Sequence, residues 1–131
     1  MSAEDEVRAV SAKFYAALIK LCGGDPGPMT EVWSRGGGVT TLHPIGGRQV
    51  GWDQVGSTYE QVAKVFSGGT VTLADQLIRT HGDVAYEVGV EHVDATMGGQ
   101  HIRTQVRVTN IYQREGGQWR IVHHHADTWP A

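Results

Sequence analysis

A single cysteine, Cys22, among 131 residues rules out an intrachain disulfide and any zinc site built on cysteine thiolates. Long apolar runs are also missing. None approaches the roughly 20 residues a membrane-crossing helix requires, and the opening "MSAEDEVRAV" is acidic and helix-forming, unlike a secretory signal. Lys and Arg never cluster. With 11 basic and 14 acidic side chains the net charge is −3, which excludes the electrostatic footprint of a nucleic-acid or anionic-membrane partner. A Gly-x-Ser-x-Gly nucleophile elbow is absent. "SRGGGV" and "HPIGGR" lack the lysine and the following helix of a phosphate-cradling loop. These absences leave a cytoplasmic protein, one domain over residues 1–131, with no cofactor motif and a small molecule as its expected partner.

What is present is strong periodicity. Val7, Val10, Phe14, Ala17, Leu18 and Leu21 recur at steps of three and four, so residues 3–21 should form an amphipathic helix, with Ser2 and Asp5 able to cap it. "CGGDPGP" ends it, because Gly suits the cap and Pro cannot continue. "MTEVWSR" fits a short second helix beginning at Pro28. "VTTLH" reads as a strand that Pro44 keeps extended through His43, followed by a turn and a short return in "PIGGRQVG". Trp52, Val55, Tyr59, Val62 and Phe66 mark a third helix over 52–66. Four strands follow, "TVTLADQLIRTH", "DVAYEVGVEHVDA", "HIRTQVRVTNIYQR" and "QWRIVHHHAD", divided by the turns "GD", "MGG" and "EGG". Helices first and a meander of strands afterwards imply an α+β fold with the helices on one face of a curved antiparallel sheet.

This order resembles the nuclear transport factor 2-like superfamily, in particular its SnoaL-like and ketosteroid-isomerase-like branch. The likeness spans nearly the whole chain and rests on "GDPGPMTEVWS", "VTTLHPIGGRQVGWDQV", "GDVAYEVGVEH" and "RVTNIYQREGGQWRIVHHHAD". It implies a cone-shaped, cystatin-like roll, in which a strongly curved antiparallel sheet wraps over three N-terminal helices and encloses a deep apolar pocket. It also implies a homodimer formed through the outer face of the sheet. Because this fold hosts isomerases, cyclases, dehydratases and plain binding modules, function must be argued from side chains.

Strand alternation places Trp119, Ile121, His123 and His125 on one face of the last strand, and His124 on the other. With Trp119 facing the core, His123 and His125 are expected inside and His124 outside. His123 and His125, with Cα atoms roughly 7 Å apart, would suit a metal if His43, Glu87, Glu91 or Asp127 joined them. They would equally serve as hydrogen-bonded pocket walls or as acid–base groups. In the ketosteroid-isomerase branch a carboxylate base precedes Pro, a hydrophobic residue and Gly. Here the pattern reads His43-Pro44-Ile45-Gly46, so the resemblance puts an imidazole in the base position. Tyr15 approximates that branch's oxyanion-holding Tyr, while strand 101–113 has no acidic residue to match its protonated Asp.

The parity of strand 101–113 is open. Apolarity turns Val106 and Val108 inward, whereas the resemblance favours Arg107 and Thr109 inside, with Glu87 or Glu91 as partners for Arg107. The expectation adopted is the second. Trp33, Trp52, Tyr59, Phe66 and Trp119 would supply an aromatic wall. The leading functional expectation is thus a cofactor-independent acid–base enzyme of isomerase, dehydratase or cyclase type, acting on an apolar, polyketide- or steroid-like substrate. His43 would transfer the proton, His123 and His125 would orient the substrate, and Tyr15 or Arg107 would hold negative charge. The alternative is a non-catalytic ligand-binding or dimerisation module.

Overall fold

Burial of one helical stripe against one sheet face organises the molecule. The computed structural model describes residues 1–44 and 46–128. Helix α1 (Ala3–Cys22) starts at Ser2, whose side chain accepts from the Asp5 N–H, and buries Val7, Phe14, Ala17 and Leu21. Ser11 and Tyr15 share that buried stripe, so two hydroxyls enter the core with the apolar side chains. Helix α2 (Trp52–Val65) buries Val55, Tyr59 and Ala63. The expected second α-helix is instead one 3-10 turn, Gly27–Glu31. Pro26 and Pro28 restrict its start, and Trp33 is drawn into a parallel bridge with Ile121, which ends helical hydrogen bonding. The architecture is therefore two α-helices and a 3-10 turn against a sheet, within the expected α+β class.

Six strands form the sheet: β1 (Thr40–Leu42), β2 (Arg48–Val50), β3 (Phe66–His81), β4 (Val84–Met97), β5 (Gln100–Glu115) and β6 (Gln118–Thr128), in the order β2-β1-β6-β5-β4-β3. β3 to β6 are the expected antiparallel meander, and β1 joins β6 in parallel. The β4–β5 and β5–β6 turns are Gly98-Gly99 and Gly116-Gly117, all with positive φ, as a two-residue turn matching strand twist demands. β3 begins directly at Phe66, so "SGG" lies within the strand rather than before it.

Two bulges decide which side chains enter the core. In β3 the register slips between Ala74 and Leu77, with Asp75 at φ 55°. In β6, Ile111 faces His123 while Tyr112 faces Ile121, which leaves Val122 as the extra residue. A bulge inserts one residue and so reverses alternation beyond it. Trp119 and Ile121 are buried, and beyond Val122 the buried residues are His124 and Ala126. The expected placement of the triplet is thereby inverted: His124 is inside and His123 and His125 are outside. On β5, Val106, Val108, Asn110 and Tyr112 are buried, so the apolar parity holds. Arg107 is 55% exposed and pairs with Asp127 on the outer face. A guanidinium turned inward would have met no free carboxylate, because Glu87 and Glu91 already have partners.

Candidate functional site

The open end of the cone holds a cavity of about 200 Å³. Leu18, Leu21 and Cys22 from α1 and Tyr59 and Val62 from α2 form its helical side, with Phe66 and Val71 from β3 beside them. His43 and Pro44 follow β1, and Glu91, Val93, Val106, His124 and Ala126 face it from the sheet. Two imidazoles, His43 and His124, and one carboxyl, Glu91, therefore border a mainly hydrocarbon space among the described residues.

Burial sets their charge. Glu91 is 5% exposed, and loss of hydration pushes its carboxyl up to about 7, against the opposing pull of the Tyr15 hydrogen bond. Burial lowers His43 to about 4. It drives His124 well below the ordinary histidine range, with the neighbouring His43 adding to the effect. Both imidazoles are thus neutral near pH 7. Their ring centroids are 5.8 Å apart, and Tyr59 meets His43 edge-on at 5.3 Å. The Nε2 of His43 and the Tyr59 hydroxyl are buried with no hydrogen-bond partner among the described residues.

Behind the sheet-side wall runs a buried polar network. Tyr15 donates to Glu91 at 2.8 Å, and burial together with Glu91 keeps its phenol protonated. Asn110 donates to the Tyr15 oxygen at 3.1 Å and to Glu87 at 2.9 Å, while its carbonyl lies 2.7 Å from His124 Nδ1. Glu87, fully buried, also accepts from Ser11 (2.6 Å), Gln76 (2.7 Å) and Tyr112 (2.7 Å). Gln76 occupies the β3 bulge, which turns its amide into this network.

Of the residues singled out from sequence, His43, Tyr59, Phe66 and Glu91 meet at the cavity. Tyr15 stands one hydrogen bond behind it, and Glu87 further back. Trp33 is fully buried in the core between Phe14 and Tyr59. Trp52 lies in a separate groove beside Gly56. Trp119 donates to Glu6 at the far end of the sheet. His123, His125, Arg107 and Thr109 lie on the outer face, where His123 Nδ1 is 2.7 Å from the Thr40 hydroxyl. A metal shared by His123, His125 and an interior group is thereby corrected, since the sheet separates them. Among the described residues no three His, Cys, Asp or Glu side chains converge as a metal site. Sequence reasoning missed His124 and Asn110. The only signal available for Asn110 was its parity with Val106 and Val108. Ile45, in the pattern after His43, lies outside the described residues.

A family model described as the SnoaL-like domain matches residues 7–127. The chain belongs to this family. Among solved structures, this SnoaL-like domain is similar to a candidate dehydratase of the nuclear transport factor 2-like family from Streptomyces avermitilis. That likeness has a TM-score of 0.87 and 23% identity, over 98% of this chain and 96% of that one. A nuclear transport factor 2-like superfamily protein from Salmonella enterica matches with TM-score 0.86 and 24% identity over 98% and 92%. A protein with a cystatin-like fold from Caulobacter vibrioides matches with TM-score 0.81 and 21% identity over 96% and 89%. At these identities the likeness establishes the fold of the SnoaL-like domain. No curated protein matches the chain. No helix among the described residues is long and apolar enough to cross a membrane.

Proposed function

We propose that this SnoaL-like domain is a cofactor-independent acid–base enzyme of isomerase or dehydratase type, acting on a small, largely apolar molecule in the cavity. The observation that carries this reading is Glu91, a buried carboxyl on a hydrocarbon wall with its affinity for protons raised to about 7. A group titrating at the working pH is best matched to taking and returning a proton. His43, the first choice from sequence, is lowered to about 4 by burial. It is a weak base near neutrality and serves better as a neutral hydrogen-bonding group.

The reaction balances within this set. The Glu91 carboxylate takes a proton from a carbon beside a carbonyl, and the electron pair moves to the carbonyl oxygen. Neutral donors bordering the same cavity, the His43 imidazole and the Tyr59 hydroxyl, stabilise that oxygen without adding charge to an apolar space. Returning the proton to another carbon completes an isomerisation. Delivering it to a departing hydroxyl releases water, the outcome suggested by the Streptomyces avermitilis relative. Either route regenerates Glu91.

Proton abstraction can be read without knowing the natural substrate, by following deuterium uptake into cyclohexanone and 3-hydroxycyclohexanone in D2O by NMR. Exchange above background is expected, and Glu91→Gln should lower it by about 100- to 10,000-fold. An unchanged rate rejects the reading, and background exchange with retained ligand binding would favour a binding module of the same fold.

Dimerisation through the outer face belongs to the same proposal. That face carries Val88 and Val90 beside the Arg107–Asp127 pair, an apolar centre with a charged rim. Sedimentation equilibrium is expected to give twice the chain mass, and Val90→Asp to give the monomer. A monomeric parent protein removes this part of the proposal.

A further inference from the structure

We propose that the cavity binds one uncharged, single-ring molecule bearing a hydroxyl group, held by its O–H donating to Nε2 of His124. This rests on the acid–base reading of the cavity and names the ligand class it would take.

Size sets the first limit. The cavity is about 200 Å³, and a dry cavity of roughly 150 Å³ accommodates benzene. Scaling gives about eight non-hydrogen atoms, a single ring with one or two oxygens. A steroid-like four-ring skeleton would leave most of its rings outside.

Charge sets the second limit. Among the described residues no Lys or Arg borders the cavity, and its one acidic side chain is Glu91. An anionic ligand would lose its hydration, meet no cation and be repelled by that carboxyl.

The third limit comes from the network behind the wall. The Asn110 amide nitrogen is committed to Glu87 and the Tyr15 oxygen, so its carbonyl must face His124. A flipped amide would set oxygen against the Glu87 carboxyl, which Ser11, Gln76 and Tyr112 hold in place. An amide oxygen only accepts, so the proton of the neutral imidazole resides on Nδ1 and Nε2 carries a lone pair. The bond to Asn110 occupies Nδ1 and leaves Nε2 as the ring nitrogen open to a ligand, and His124 borders the cavity. An apolar cavity with a fixed acceptor on its wall selects a ligand with a donor. Glu87 and Asn110 are therefore positioning residues: they set the His124 tautomer without touching the ligand.

The test compares cyclohexanol, methoxycyclohexane and cyclohexanecarboxylate by NMR titration of the full chain at pH 8. Cyclohexanol should bind five- to tenfold more tightly than the ether, and the carboxylate should not saturate. Equal or tighter binding of the ether, or preferential binding of the carboxylate, overturns the proposal. Nitrogen-15 NMR of the His124 ring should report the Nδ1–H tautomer, and Asn110→Leu should abolish both that preference and the advantage of the alcohol. Should Asn110→Leu fail to fold, the spectrum of the parent protein decides, since an Nε2–H tautomer contradicts the proposal. Binding is read without turnover, so an alcohol preference without deuterium exchange rejects the acid–base reading and leaves this one standing.

Discussion

Replacing Glu87 by Ala should destabilise the fold by about 3–5 kcal/mol. Four donors end on this one carboxyl, from Ser11, Gln76, Asn110 and Tyr112, at 2.6 to 2.9 Å. Truncation strands them in a place without bulk water, and each stranded donor costs on the order of 1–3 kcal/mol before partial relaxation. Glu87→Gln retains one acceptor oxygen but presents an amide N–H to another donor, so about half of that loss is expected. Thr109→Ala, on the outer face of the neighbouring strand, is the control and should change stability by less than about 0.5 kcal/mol. Urea denaturation at pH 7 measures all three. A loss below about 1 kcal/mol for Glu87→Ala would show that the network is not held as described.

The second large effect is on the pH dependence of stability. The Glu91 carboxyl is raised to about 7 from an ordinary value of 4.5, so between those values the folded state binds the proton more tightly than the unfolded chain. That contribution is fully present below pH 4.5 and is lost as pH rises through about 7. At 1.36 kcal/mol per unit it amounts to about 3 kcal/mol. His43, lowered from 6.5 to about 4, acts with the opposite sign: its contribution is present above 6.5 and lost as pH falls through about 4. His124 shifts in the same direction as His43. In the intact protein the acid and the imidazoles partly offset one another across the acidic range. Glu91→Gln removes only the term that declines with pH. Its stability relative to the parent protein should therefore improve by about 3 kcal/mol between pH 4.5 and 7.5. Equal differences at the two pH values would mean that Glu91 is hydrated in solution and would remove the basis of its catalytic assignment.

The class of fold was legible because its determinants are local and repeated. The three- and four-residue spacing from Val7 to Leu21 fixes a helix and its buried stripe. Paired glycines at 98–99 and 116–117 mark turns of the one type that joins twisted strands tightly. The second helix shortens to a 3-10 turn because Trp33 is claimed by a bridge to Ile121, a residue 88 positions later in the chain. For β5, apolar Val106 and Val108 gave the correct parity by themselves, and the family analogy pointed the wrong way for Arg107. Burying that guanidinium needed a free carboxylate, and the interior ones were already engaged.

The composition and periodicity of this chain alone determine an α+β roll with carboxyl and imidazole groups along its strands. Which of those groups share a cavity was decided by tertiary structure, through the extra residue Val122 in β6. A bulge has no reliable signature in one strand, because it arises from the register that β5 and β6 adopt together. That single inserted residue turns His124 inward to Asn110 and sends His123 and His125 to the surface.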